Sequence, residues 1–265
     1  MMRYRQLPGI VAGIAGMLMP ALAFAQEQPP ACKAPNELIR LTQPLTHTAQ
    51  RLASFEPLKI IAIGSSSTAG AGASSPAASY PSRLAAELKV QFPGHPITVI
   101  NRGVNGEEAR DMLSRFPAEV IEEKPDLVLW QVGTNSVLRD YPLAPTNPII
   151  LEGVRELKEI GADVVMIDPQ FVPRVIAKPD AEAMVTLISR VAKEANVDLF
   201  QRYATMRYWR EAEHLPFAAF VTPDDLHMND WGYGCLAKLL GTAIAEAATR
   251  GVASAEVHAA QRARP

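Results

Sequence analysis

The chain has 265 residues, 48% of them hydrophobic and 20% charged, which is enough apolar material for a substantial core and too much for a disordered chain. With 26 Lys+Arg against 28 Asp+Glu the formal charge is -2, so there is no broad basic field for nucleic acid or an anionic membrane surface. Two cysteines, Cys32 and Cys235, are too few for a disulfide-built scaffold, and no CxxC pair suggests a structural zinc site.

Arg3 and Arg5 precede a 14-residue apolar run over 10–23, and Ala23-Phe24-Ala25 fits the small-x-small pattern of signal-peptide cleavage. Residues 1–25 therefore read as an export signal. The run contains Pro20 and falls short of the roughly 20 residues that span a bilayer. Cleavage near Ala25 predicts a periplasmic or secreted protein with no stable membrane anchor. Such a mature chain loses two Arg and no acid, leaving 24 basic and 28 acidic side chains and a formal charge of -4. In an oxidising compartment a Cys32–Cys235 bridge is one reading of the two cysteines. Two unpaired thiols, with Cys235 a buried small hydrophobe, are the other.

Residues 26–57 follow as an N-terminal arm. Leu38, Ile39, Leu41, Leu45 and Leu52 recur there at roughly helical spacing, and Pro44 demands a kink or break. Residues 58–250 then alternate short apolar runs with helical patterns. The runs lie at 59–63, 97–101, 127–131 and 163–167, with a weaker one at 197–199; the helical patterns cover 80–92, 111–123, 148–160 and 179–196. This rhythm predicts one α/β domain with a parallel sheet covered on both faces. Residues 236–248 read as a closing helix and 251–265 as a flexible tail without an apolar face.

Ligands in such sheets bind outside the carboxyl ends of the strands, so the turns there carry the chemistry. The first is Gly64-Ser65-Ser66-Ser67-Thr68-Ala69-Gly70-Ala71-Gly72. It lacks the Lys of a phosphate-binding P-loop, and Ser75 stands where a dinucleotide fingerprint needs its third Gly. A hydroxyl nucleophile on a strand-to-helix turn remains, although a plain Ser-rich turn would look the same if it stood alone. Near the other end, Asp224 precedes His227 by three positions, which in a helix-like turn lets the carboxylate hold one imidazole nitrogen and leaves the other as a base. Of five histidines (47, 95, 214, 227 and 258), only His227 has an Asp at that offset. Two further turns supply candidate donors to an oxyanion: Gly103 in Asn101-Arg102-Gly103-Val104-Asn105-Gly106, and Asn135 in Gly133-Thr134-Asn135-Ser136. Gly103 also fits a positive-φ turn, and Asn135 a helix cap.

In chain order, Gly64-x-Ser66-x-Thr68, Gly103 in Asn-x-Gly-x-x-Gly, Gly133-x-Asn135 and Asp224-x-x-His227 resemble the four sequence blocks of the SGNH hydrolases, the GDSL-like lipase/acylhydrolase family. The resemblance covers about residues 58–248. It implies a flavodoxin-like three-layer α/β/α sandwich with a parallel five-stranded sheet, and ester hydrolysis without cofactor or metal. At the matching positions it implies Ser66 as nucleophile, His227 as general base and then acid, and Asp224 as its orienting partner. Ser66 N–H, Gly103 N–H and the Asn135 amide are the implied oxyanion donors. Ser65 and Ser136 depart from the family pattern, which usually has Asp at both places.

Three functions fit these residues. One is an exported serine esterase acting on a small-molecule or glycan ester of a short acyl group such as acetyl. The second passes the acyl group to an envelope sugar instead of water. The third is a non-catalytic glycan-binding module on the same fold. No nucleic-acid partner is expected in any of them. The loops at 138–147 and 171–179 are the expected walls of the substrate pocket.

Overall fold

The computed structural model describes Met2 and residues 29–262, with side-chain environments to Arg250. The expected export signal over 1–25 lies outside the described residues, apart from Met2. Five parallel strands form one sheet: β1 Leu58–Gly64, β2 Ile97–Gly103, β3 Leu127–Gln131, β4 Asp163–Ile167 and β5 Asp198–Phe200. Their spatial order is β2-β1-β3-β4-β5. This is the flavodoxin-like doubly wound order, whose crevice opens at the carboxyl ends of β1 and β3, where the direction of winding reverses.

The helices, in chain order, are α1 Asn36–Ile39, α2 Thr46–Ser54, α3 Ser66–Ala69, α4 Tyr80–Gln91, α5 Ala109–Phe116, α6 Thr134–Leu138, α7 Thr146–Glu159, α8 Pro173–Ile176, α9 Ala181–Ala195, α10 Arg202–Glu211 and α11 Asp230–Arg262. Helices α5, α7 and α9 pack together on one face of the sheet, and α2, α4 and α11 on the other. The expected three-layer α/β/α sandwich with five parallel strands is therefore the observed architecture. Strand alternation decides what each face receives. Trp130 turns towards α5, packs edge-on against Phe116 at 5.2 Å and donates its indole N–H to Met112. Gln131, the next residue, serves the Ser66 turn instead.

Some elements differ from the sequence reading for identifiable reasons. The arm breaks at Pro44 into α1 and α2, as that residue requires. The pattern over 111–123 splits at Pro117, which ends α5 and leads into a wider turn through Ile121. The closing helix is longer than 236–248: it runs from Asp230 to Arg262, so residues 251–262 are helical rather than a tail. An Ala-rich segment has high intrinsic helix propensity and needs no apolar face to extend an existing helix.

The arm is fastened across the amino ends of the strands, opposite the crevice. Asp198 accepts from the Thr42 and Gln43 backbone N–H groups, Asp163 from Thr48 N–H and hydroxyl, and Asp126 from Arg51. A Cys32–Cys235 disulfide ties the same segment to α11. Trp231 and Trp209 add indole hydrogen bonds to the carbonyls of Pro30 and Lys33. Because the bridge closes a loop of 203 residues, the chain-entropy argument assigns it about 5 kcal/mol. The double substitution Cys32→Ser with Cys235→Ser is expected to lower the unfolding midpoint by roughly 10 °C, as calorimetry of both proteins under non-reducing conditions would measure.

Candidate active site

Strand β1 ends at Gly64 and the chain turns at once into α3, so Ser66 stands at the rim of the crevice as the first residue of that helix. Ser65 fixes the turn from beneath: its backbone N–H and its hydroxyl both donate to Gln131 Oε1, at 2.9 and 3.0 Å. The neighbouring strand constrains it from the side. Gly64 pairs with Gly103 in register, and a Cβ on Gly103 would lie 2.1 Å from Ala69 N. Gly103 is therefore glycine because the α3 backbone crosses over it, and it is not among the positive-φ residues.

The partner segment comes from the far end of the chain. Thr222 N–H donates to the His227 carbonyl and Val221 bridges Met228, closing a loop that contains Asp224 and His227. This loop is not helical: Asp225 sits at φ 59° and turns away, while Asp224 folds inward. Asp224 Oδ1 accepts from the Thr222 hydroxyl and from the backbone N–H groups of Leu226 and His227, at 2.6, 2.9 and 2.9 Å. Its Oδ2 lies 2.5 Å from His227 Nδ1, and His227 Nε2 lies 2.9 Å from Ser66 Oγ. Partial burial works against the Asp224 charge, but the bonds from Thr222, His227 and Leu226 outweigh it and hold the carboxyl well below the usual carboxylate range. An ionised carboxylate only accepts, so Nδ1 carries the proton between them and Nε2 is left to accept from Ser66.

Two contacts keep the segments aligned. Gly72, at φ +88°, lies so close to the His227 segment that a Cβ there would sit 2.6 Å from the Met228 carbonyl oxygen. Ser74 then binds Asp230 at the start of α11 through both its N–H and its hydroxyl.

The three expected oxyanion donors are placed differently from one another. Ser66 N–H opens α3, where a helix offers it no internal acceptor. The Asn135 amide gives one hydrogen to the Glu107 carbonyl at 2.7 Å and retains a second. It lies within α6 and does not cap it, since Gly133 takes the N-cap position. Gly103 N–H donates to Asn101 Oδ1 at 2.9 Å and is engaged as it stands. Ser136, where the family pattern has Asp, is buried and donates to Glu108. Sequence reasoning missed Thr222, Gln131 and the Asn101 and Glu107 acceptors. Gln131 had a signal, as a polar residue closing an apolar run, and Asn101 stood in the Gly103 block.

A cleft of about 390 Å³ opens between the starts of α5 and α7, lined by Glu108, Ser136, Arg139, Tyr141 and Pro142 among others; Ser66, Asn135 and His227 do not line it. The expected 138–147 wall is thus part of a cleft. In the 171–179 loop Phe171, Val172 and Val175 are buried, Phe171 packing against Tyr203 and Phe217, while Arg174, Ile176, Ala177 and Pro179 are exposed. Among the described residues no three His, Cys, Asp or Glu side chains are grouped as metal ligands would be. Likewise no described helix is long and apolar enough to cross a membrane.

A parallel 2-1-3-4-5 sheet with a Ser–His–Asp relay across its switch point defines the SGNH class of α/β folds. The chain belongs within that class to the non-GDSL lipase-like family, whose model matches residues 31–250. That description agrees with Ser65 standing in place of the GDSL aspartate. Among curated relatives, an acetylxylan esterase of Geobacillus stearothermophilus is 26% identical over 57% of this chain and 74% of its own. An arylesterase of Vibrio mimicus is 28% identical over 40% of this chain and 52% of its own, so the match spans about half of that protein. Among solved structures, a variant of an acetyl-xylooligosaccharide esterase from the same Geobacillus species has a TM-score of 0.61 at 23% identity, covering 71% of this chain and 94% of that one. A two-domain esterase active on acetylated mannans has a TM-score of 0.67 at 22% identity, covering 80% and 56%.

The packing at Gly103 leads to a stability prediction. Gly103→Ala is expected to cost about 1–3 kcal/mol by forcing α3 away from β2, read as a lower denaturant midpoint at unchanged slope.

Proposed function

We propose that this chain is an exported serine esterase acting on carboxylic esters of short acyl groups, with acetyl preferred. The observation that carries the reading is the relay from Asp224 through His227 to Ser66, at 2.5 and 2.9 Å. His227 Nε2 takes the Ser66 proton as Oγ attacks the ester carbonyl, and Asp224 stabilises the imidazolium that forms. The carbonyl oxygen becomes an anion facing Ser66 N–H and the second Asn135 amide hydrogen. Gly103 N–H joins them if it turns from Asn101. The imidazolium then protonates the leaving alcohol. Water enters, His227 removes its proton, and the acyl group leaves as the carboxylic acid with Ser66 restored.

The curated relatives named as esterases support the reaction class. We assign the alcohol half of the substrate to the cleft lined by Ser136, Arg139 and Tyr141. An exposed Tyr141 with Arg139 and Glu108 suits a sugar, which takes flat apolar contact and planar hydrogen-bonding groups together. Export is part of the reading, because a bridged Cys32–Cys235 pair is at home in an oxidising compartment.

The deciding experiment is hydrolysis of aryl esters from acetate to octanoate by wild type and Ser66→Ala. The wild type is expected to be fastest on acetate and to be labelled by an organophosphonate. Ser66→Ala should lose both properties, and labelling that persists would remove Ser66 from its role. The pH profile follows from the Asp224 bonds. Because they keep that carboxyl ionised well into acid, Asp224 should add no protonation step to the loss of activity on acidification. On acidification kcat/KM should fall about tenfold per pH unit below the midpoint; a slope near two would show a second group titrating.

A further inference from the structure

Beneath the Ser66 turn lie three polar side chains that the proposed chemistry does not use. Tyr80, Tyr233 and Arg202 come from α4, α11 and α10, and each is 0% exposed. The two phenols reach opposite ends of the turn. Tyr233 donates to the Ala71 carbonyl at 2.6 Å, just past α3. Tyr80 lies 3.3 Å from Thr68 Oγ1, which gives its own proton to Gln131, so the phenol is the donor. Gln131 is the residue that holds Ser65. A continuous chain of hydrogen bonds thus runs from Tyr80 through Thr68 and Gln131 to the residue preceding Ser66.

The charge Arg202 chiefly faces is the buried Asp168 carboxylate, ahead of the two phenols. Arg202 Nε donates to the Asp168 carbonyl at 2.8 Å, and Tyr203 N–H donates to the Asp168 carboxylate at 2.8 Å, which locks the start of α10 to the carboxyl end of β4. Burial pushes the Tyr80 hydroxyl up to about 12 and Tyr233 higher, so both remain protonated donors at neutral pH.

We infer that Tyr80 and Tyr233 are positioning residues for Ser66: the two phenols hold its turn at Thr68 and Ala71. This rests on Ser66 being the nucleophile. The phenols set the height and tilt of α3, and so the direction in which Ser66 Oγ meets His227 Nε2.

The test compares Tyr80→Phe and Tyr233→Phe with wild type in aryl acetate turnover, organophosphonate labelling and thermal unfolding. Each Phe variant keeps the ring and loses the hydroxyl. Each is expected to lower kcat and the labelling rate roughly tenfold, since slight misplacement of a reacting group costs that much or more, while KM stays within about twofold. A purely structural role predicts a lower unfolding midpoint with turnover and labelling unchanged. The inference is overturned if both Phe variants turn over and label at the wild-type rate. A wild type that neither turns over the ester nor labels would overturn the esterase reading and this inference with it; a labelled wild type with equally labelled variants would overturn the inference alone.

Discussion

One hydrogen bond of 2.9 Å joins Ser66 Oγ to His227 Nε2 across 161 positions of chain, and much of the molecule serves to hold its two ends. Neither end is stiff by itself. Ser66 opens a helix of four residues, and His227 sits in a non-helical loop. What fixes them is pressure from their surroundings. Gly103 lets β2 lie directly against α3, Gly72 lets the same turn press on the His227 backbone, and Ser74 clasps Asp230 at the head of α11. A side chain at either glycine would push one end of the bond away from the other.

The sheet beneath is what makes such tolerances reachable. Fully buried residues run almost unbroken through β1 and β3, the two strands flanking the crevice, and interiors packed at that density deform little. The arm clamps the opposite edge through Asp126, Asp163 and Asp198, so that the amino ends of β3, β4 and β5 are fixed by charge while their carboxyl ends carry the site. Asp224 has a similar economy. Four donors converge on one carboxylate, which keeps it charged and also orients it towards His227.

The fold was legible because buried parallel strands announce themselves as short apolar runs: β3 and β4 lie where 127–131 and 163–167 were read. The spacing of Asp224 and His227 was legible too, although the turn that joins them is built on Thr222 and an αL Asp225 instead of a helix. What could not be read is what depends on distant pairing. The Ser-rich turn gives no hint that Gln131 will meet Ser65, because the two are neighbours only through sheet register. Gly103 looked like a glycine that needs its backbone freedom, but it is one that needs space, and only the crossing of α3 reveals this. Asn101, two residues before Gly103, was visible in its block, but its capture of the Gly103 N–H follows from a side-chain rotamer that no spacing specifies.

The disulfide also has a topological meaning. Cys32 and Cys235 bound a covalent ring that contains Ser66, Gly103, Asn135, Asp224 and His227, together with all five strands. Every surface loop between them is therefore part of a closed circuit. A protease that cuts one such loop opens the ring and leaves a single linear molecule, with both halves of the relay still on it. One nick in a loop around the cleft therefore does not separate the serine from its histidine.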